Sequence, residues 1–184
     1  MMKITRWASD FLSGSRGKSN IGGAFMFKKL LTTRSLCVSA VIAALYAALT
    51  ILLAPLSYGA VQLRVSEAMT LLPLVLPQAI PGLFVGCLIA NLYTGMLTDI
   101  IFGSLATLLA AVGTYLLRKK PLIAAACPVI SNGVIVGLVL AKSFNLPVLL
   151  AMGEVALGEI GAVLIGFVIL GAMKRARIDF SRLG

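Results

Sequence analysis

Histidine is absent from the 184 residues, and only six residues are acidic. Without histidine the chain has no H-E-x-x-H zinc helix and no catalytic imidazole. Charged residues make up 12% of the sequence, against about a quarter in a soluble domain. The three cysteines, Cys37, Cys87 and Cys127, stand apart in apolar surroundings with no CxxC spacing. That pattern excludes a disulfide framework or a cysteine zinc site and reads as three small buried hydrophobes. No G-x-x-x-x-G-K-[ST] loop and no G-x-S-x-G elbow occur, so the chain carries neither the usual phosphate-cradling ATPase loop nor the common serine hydrolase motif. Two halves with mirrored charge placement are also lacking, which leaves an inverted-repeat carrier unsupported. These absences predict a non-enzyme with no bound metal and no cofactor.

What is present is apolar. Hydrophobic residues make up 60% of the chain, and the mean hydropathy is +1.05. That surplus exceeds what one core of this size can hide, so lipid must solvate much of it. The chain is also basic, with 16 Lys and Arg against 6 Asp and Glu, a net charge of +10. In a soluble protein such a balance points to nucleic acid. Here the basic residues cluster at the ends of apolar runs: Lys28, Lys29 and Arg34, then Arg118, Lys119 and Lys120, then Lys174, Arg175, Arg177 and Arg182. Transmembrane topology produces that placement, and no nucleic-acid partner is expected.

Six apolar runs follow a polar leader, at about 36–55, 61–76, 79–93, 99–117, 121–141 and 147–173. The second and third are short and are separated by Pro77 and Pro81. Counting them as one span would place the Arg118 cluster opposite the Arg34 cluster. Counting them as two puts all three basic clusters on one side, the cytoplasm. The expectation is an all-α integral membrane protein, a six-transmembrane-helix bundle with both termini cytoplasmic. Residues 1–25 read as a disordered leader or the product of an upstream start, and 26–184 as the membrane domain. In the leader, Trp7 and Phe11 at helical spacing could touch a membrane surface, although disorder is the simpler reading.

The few polar residues inside the runs collect toward the non-cytoplasmic end. They are Gln62, Arg64 and Glu67 in the second run, Asn91 ending the third and Asp99 starting the fourth. Asn132 lies mid-way along the fifth, with Glu154 and Glu159 in the sixth. Left facing lipid, the four carboxylates and the arginine would cost on the order of 10 kcal/mol. They therefore face inward, around a polar cavity open to the outside. Simpler roles stay open for some of them. Arg64 and Glu67, three apart, can pair on one helix face, Asp99 can be interfacial, and Asn91 and Asn132 can be interhelical glue. Two small-residue stripes add to the pattern. Ala40, Ala44 and Ala48 form a ridge that lets another helix approach, and Gly158, Ala162 and Gly166 suit packing within the chain.

Longer strings carry a family likeness. The segment Tyr58-Gly59-Ala60-Val61-Gln62-Leu63-Arg64-Val65-Ser66-Glu67-Ala68, then Leu71-Leu72-Pro73, residues 80–91, residues 99–107 and Ser131-Asn132-Gly133 resemble the QueT family of queuosine-precursor transporters. The likeness runs in order from about Met26 onward. It implies the substrate-binding (S) component of an energy-coupling-factor (ECF) importer: six helices, an outward-facing site, and alanines on the first helix that dock on a transmembrane coupling protein served by two cytoplasmic ATPases. The implied solute is a preQ1/preQ0-type deazaguanine base or queuine. Glu154 or Glu159 would accept its guanine-like donor edge, and Asp99 or Glu67 would meet an aminomethyl ammonium. Asn91, Asn132, Gln62 and Arg64 would take carbonyl and ring nitrogens, while Tyr58, Tyr93 or Phe102 would stack on the ring. Ala40, Ala44 and Ala48 would form the coupling face. An S component for another vitamin or nucleobase, a stand-alone carrier and a non-transporting scaffold are the competing readings.

Overall fold

A computed structural model of the chain describes residues 32–57 and 63–176, and these residues are helical throughout, with no strand among them. The leader, Tyr58 and Gln62 lie outside the described residues. Helix α1 (Thr33–Leu52) begins at Thr32, whose hydroxyl accepts from the Ser35 amide at 3.4 Å. A single turn, Ala54–Ser57, follows it. The next element is a ten-residue 3₁₀ helix, α2 (Val65–Leu74), and after it comes α3 (Ala79–Thr94). Helix α4 (Asp99–Leu116) opens with a π-helical turn, Asp99–Gly103, before continuing as α-helix. Helices α5 (Pro121–Phe144) and α6 (Val148–Arg175) complete the chain.

Four of these helices, α1, α4, α5 and α6, are long and apolar enough to cross a membrane, whereas α2 and α3 are shorter apolar helices. The shortfall in α2 is partly offset by its geometry. A 3₁₀ helix rises about 2.0 Å per residue, so ten residues reach roughly 20 Å where an α-helix would reach about 15 Å. Pro73 inside it and Pro77 just beyond favour such an extended, interrupted path. The chain then reverses between Val75 and Gln78. The Ser39 hydroxyl donates to the Gln78 carbonyl at 2.8 Å, fastening this reversal near the Arg34 end of α1.

Burial explains why so short an element persists. Eight of the ten α2 residues are buried, and the helix packs against α1, α3, α4 and α6. Leu71, Leu72 and Leu74 join Ile42, Tyr46, Leu83, Val163 and Leu170 in the main core. The Gly158, Ala162 and Gly166 stripe is buried, as its spacing predicts. A Cβ on Gly166 would come within 2.5 Å of the Ala68 carbonyl oxygen, so α6 lies directly on α2 there.

Helix α1 carries two stripes of small residues with opposite fates. Its inner stripe, Ser39, Ala43 and Ala47, is buried. Against it lie Gly82 and Gly86 of α3, where added Cβ atoms would stand 2.6 Å from the Ser39 carbonyl and 2.8 Å from the Ala43 carbonyl. The outer stripe, Ala40, Ala44 and Ala48, is exposed along its length, with Val41 and Leu45 beside it. Nothing in the described chain covers that face of α1.

Candidate functional site

The buried polar residues of five helices converge on the start of α2. Glu67 is 1% exposed, which leaves its carboxylate with no access to water. Its Oε1 accepts from the Tyr46 hydroxyl of α1, a short contact, and from the Thr107 hydroxyl of α4 at 3.0 Å. Around the rim of this contact, Thr50 and Ser66 hydroxyls meet at 2.6 Å. Thr107 also reaches Cys87 Sγ of α3 at 3.3 Å, and that sulfur accepts from the Asn91 amide at 3.4 Å. A chain of hydrogen bonds thus links α1, α2, α3 and α4 through the interior.

Arg64 caps the start of α2 in an extended conformation, φ −82° and ψ 95°. That backbone takes it off any helix face shared with Glu67, so the three-residue spacing does not produce an Arg64–Glu67 pair. The guanidinium instead reaches across to Asp99 Oδ2 of α4 at 2.8 Å. Asp99 sits in the π-helical turn, where Asn91 donates to its carbonyl at 3.0 Å. Gly103 closes the same turn. A Cβ there would approach Asp99 Oδ1 to 2.7 Å and Asn91 Nδ2 to 3.0 Å, so a larger residue would push these side chains out of place. π-Helical turns concentrate at functional positions, and this one frames the ion pair.

The other side of the site comes from α5 and α6. Asn132 Nδ2 donates to Glu159 Oε1 at 2.8 Å, and the same amide faces Glu67. The two carboxylates, Glu67 and Glu159, are close enough to feel each other's charge, and Arg64 acts on both. Four buried oxygens in this cluster have no hydrogen-bond partner: Glu67 Oε2, Glu159 Oε2, Asn91 Oδ1 and Asn132 Oδ1. Buried polar groups rarely stay unpaired, since each costs about 1–3 kcal/mol. The same cluster holds the Arg64 guanidinium, so buried acceptors and a buried donor group lie together.

Of the residues named from sequence, Arg64, Glu67, Asn91, Asp99, Asn132 and Glu159 come together, each buried. Glu154 does not. It lies five residues and about 140° around α6 from Glu159 and is half-buried. Tyr93 is 64% exposed and Phe102 50%, and both point away from the cluster's buried interior. Sequence reading missed Tyr46, Thr107 and Cys87. For Tyr46 a signal existed, because Ser39, Ala43, Tyr46, Ala47 and Thr50 share one face of α1. Among the described residues no group of three or more His, Cys, Asp or Glu is arranged to hold a metal ion.

Apolar helices of spanning length, wrapped around a buried polar cluster, define a multi-pass membrane protein. The model of the QueT transporter family matches residues 36–175, and the chain belongs to that family. It is 30% identical over 165 residues to the "Queuosine precursor transporter QueT" of Lactococcus lactis subsp. cremoris (strain MG1363), covering 82% of this chain and 97% of the relative. No solved structure matches the chain.

Proposed function

We propose that the chain is the substrate-binding component of an energy-coupling-factor importer and that it captures a queuosine precursor from outside the cell. The substrate follows from the family and from the printed name of the Lactococcus lactis relative. The observation that carries the site is the set of four unpaired buried acceptors around Glu67, Asn91, Asn132 and Glu159. A deazaguanine base offers adjacent N–H donors on its guanine-like edge. Glu159, steadied by Asn132, accepts such an edge, because a carboxylate takes two parallel donors well. Asp99, engaged by Arg64, serves to hold the guanidinium in place and does not itself contact the solute.

In this reading six helices cross the bilayer, with both termini in the cytoplasm. The short helices α2 and α3 are sheltered from lipid by their neighbours. Energy comes from partners, a transmembrane coupling protein and two ATPases, since the sequence has no phosphate-cradling loop. The exposed Ala40, Ala44 and Ala48 face of α1 is the docking surface for the coupling protein, small side chains letting a partner helix come close. Tyr46 lies on the opposite face of the same helix and bonds Glu67, so the docking helix and the solute site are mechanically joined.

The test separates capture from delivery. Ala44→Trp is expected to abolish uptake of labelled precursor by cells while the purified variant binds the precursor as the parent does. Uptake by proteoliposomes containing the chain alone would instead establish a stand-alone carrier.

A further inference from the structure

Apart from Arg64, the buried cluster uses none of the described basic residues, and helix packing gathers most of them at one end of the bundle. Gly82 and Gly86 of α3 lie on Ser39 and Ala43 of α1, so these helices run parallel. The Cys87–Thr107 and Asn91–Ser104 contacts set α4 antiparallel to α3. Gly113 meets Cys127 while Ala106 clusters with Val136, which reverses α5 against α4. Gly137 on Met152 and Asn132 on Glu159 reverse α6 again. Helix α1 therefore starts where α4 and α6 end, and Arg34, Arg118, Lys119, Lys120, Lys174 and Arg175 share that end. None of the described acidic residues, Glu67, Asp99, Glu154 and Glu159, lies there.

The turn between α4 and α5 concentrates this charge and combines it with exposed apolar surface. Its backbone is tied down, the Lys120 amide donating to the Leu117 carbonyl at 2.8 Å and the Thr114 hydroxyl to the Ala124 carbonyl at 3.4 Å. Arg118 lies over the Tyr115 ring, 4.1 Å from its centroid, and Nη1 donates to the Tyr115 carbonyl at 3.3 Å. Lys119 and Lys120 are exposed. Leu116 and Leu117 before the basic triplet, and Leu122 and Ile123 after it, are exposed as well. Cations bracketed by bare aliphatic side chains and an amphipathic tyrosine suit the level where hydrocarbon gives way to headgroups. We propose that the α4–α5 turn is a docking site for an anionic phospholipid of the leaflet at that end. Lys119 and Lys120 hold its phosphate, and its acyl chains run along Leu116, Leu117, Leu122 and Ile123. Arg118, drawn in over Tyr115, adds charge behind the two lysines. A free phosphate or an acidic protein surface would engage the lysines and leave the aliphatics without a partner, whereas a lipid engages both. The inference is independent of which solute the chain carries.

A lysine beside an anionic lipid surface contributes about fivefold in affinity, so two contribute about 25-fold. The experiment titrates the purified full chain in neutral detergent with dioctanoyl phosphatidylglycerol and dioctanoyl phosphatidylcholine, and native mass spectrometry counts the bound lipid. The parent should prefer phosphatidylglycerol by about 25-fold, and that preference should shrink at high salt, which screens exposed charges. The double variant Lys119→Gln, Lys120→Gln should bring the two lipids to within about twofold of each other. Lys119→Arg with Lys120→Arg, which keeps the charge, should retain the preference. So should Lys142→Gln, since Lys142 stands at the opposite end of α5. Equal affinities for both lipids in the parent, or a full preference in the double Gln variant, would overturn the proposal. An equal loss in Lys142→Gln would reduce the preference to net charge and overturn the assignment to this turn. Competition arms identify the occupant. Glycerol phosphate displacing the lipid at equal concentration would show that the headgroup alone is recognised, and hexaglutamate binding more tightly than phosphatidylglycerol would make the turn a protein contact. Either result overturns the lipid assignment.

Discussion

Removing Arg64 should damage the protein more than removing the carboxylate it pairs with. The ion pair is 2.8 Å long and its side chains are only 6% and 10% exposed. Breaking a buried pair by deleting one partner costs about 3–5 kcal/mol, because the survivor is left as an uncompensated charge. The two survivors here are not equivalent. After Asp99→Asn the guanidinium still has Glu67 and Glu159 within its field, so the loss should sit near 3 kcal/mol. After Arg64→Met no cation is left beside Asp99, Glu67 and Glu159, and the loss should reach about 5 kcal/mol. For a chain of this length each kcal/mol lowers the melting temperature by roughly 2–4 °C. The expected drops are therefore about 6–12 °C and about 10–20 °C. Thermal unfolding in detergent, followed with a thiol-reactive dye, reads them directly, since buried Cys87 and partly buried Cys127 are revealed on unfolding over the constant signal of exposed Cys37. A loss for Asp99→Asn equal to or larger than that for Arg64→Met would refute the assignment of Arg64 as counter-charge to the whole cluster.

Two further substitutions probe the backbone contacts that build the site. Gly86→Leu places side-chain atoms where a bare Cβ already meets the Ala43 carbonyl and Tyr46 Cβ at 2.8 Å. It should cost about 1–3 kcal/mol or more by overpacking and should lower expression of folded protein, as size-exclusion profiles in detergent will show. Gly103→Ala drives a methyl toward Asp99 Oδ1 and Asn91 Nδ2, so precursor binding should weaken several-fold. Alanine at exposed Gly153, where a Cβ meets nothing within 4 Å, should leave affinity unchanged in the same titration.

How far the sequence reached depended on whether a signal was local. Basic clusters at the ends of apolar runs are local, and they marked helices whose bounds agree closely with α1, α4, α5 and α6. The 3₁₀ character of α2 was not legible, since Pro73 and Pro77 predict interruption but not the tighter winding that burial on several sides sustains. The Arg64–Asp99 pair joins positions 35 apart and depends on the extended backbone at Arg64, so no spacing rule could reveal it. Glu154 and Glu159 could not have been told apart by spacing. Glu154 continues the four-residue step of Gly158, Ala162 and Gly166, yet it is Glu159, beside that stripe, that is buried. Tyr46 shares the buried face of α1 with Ser39, Ala43, Ala47 and Thr50, which marks it as inward-facing, while its bond to Glu67 joins positions 21 apart and has no local signal.

The same contrast between two carboxylates on one helix supplies the sharpest test. Affinity for labelled aminomethyl deazaguanine should fall at least about tenfold in Glu159→Gln, which turns a charged acceptor into a neutral amide, and stay within about twofold in Glu154→Gln, whose side chain lies outside the cluster. Unchanged binding in Glu159→Gln, or an equal loss in Glu154→Gln, would contradict the placement of the solute between Glu67, Asn132 and Glu159.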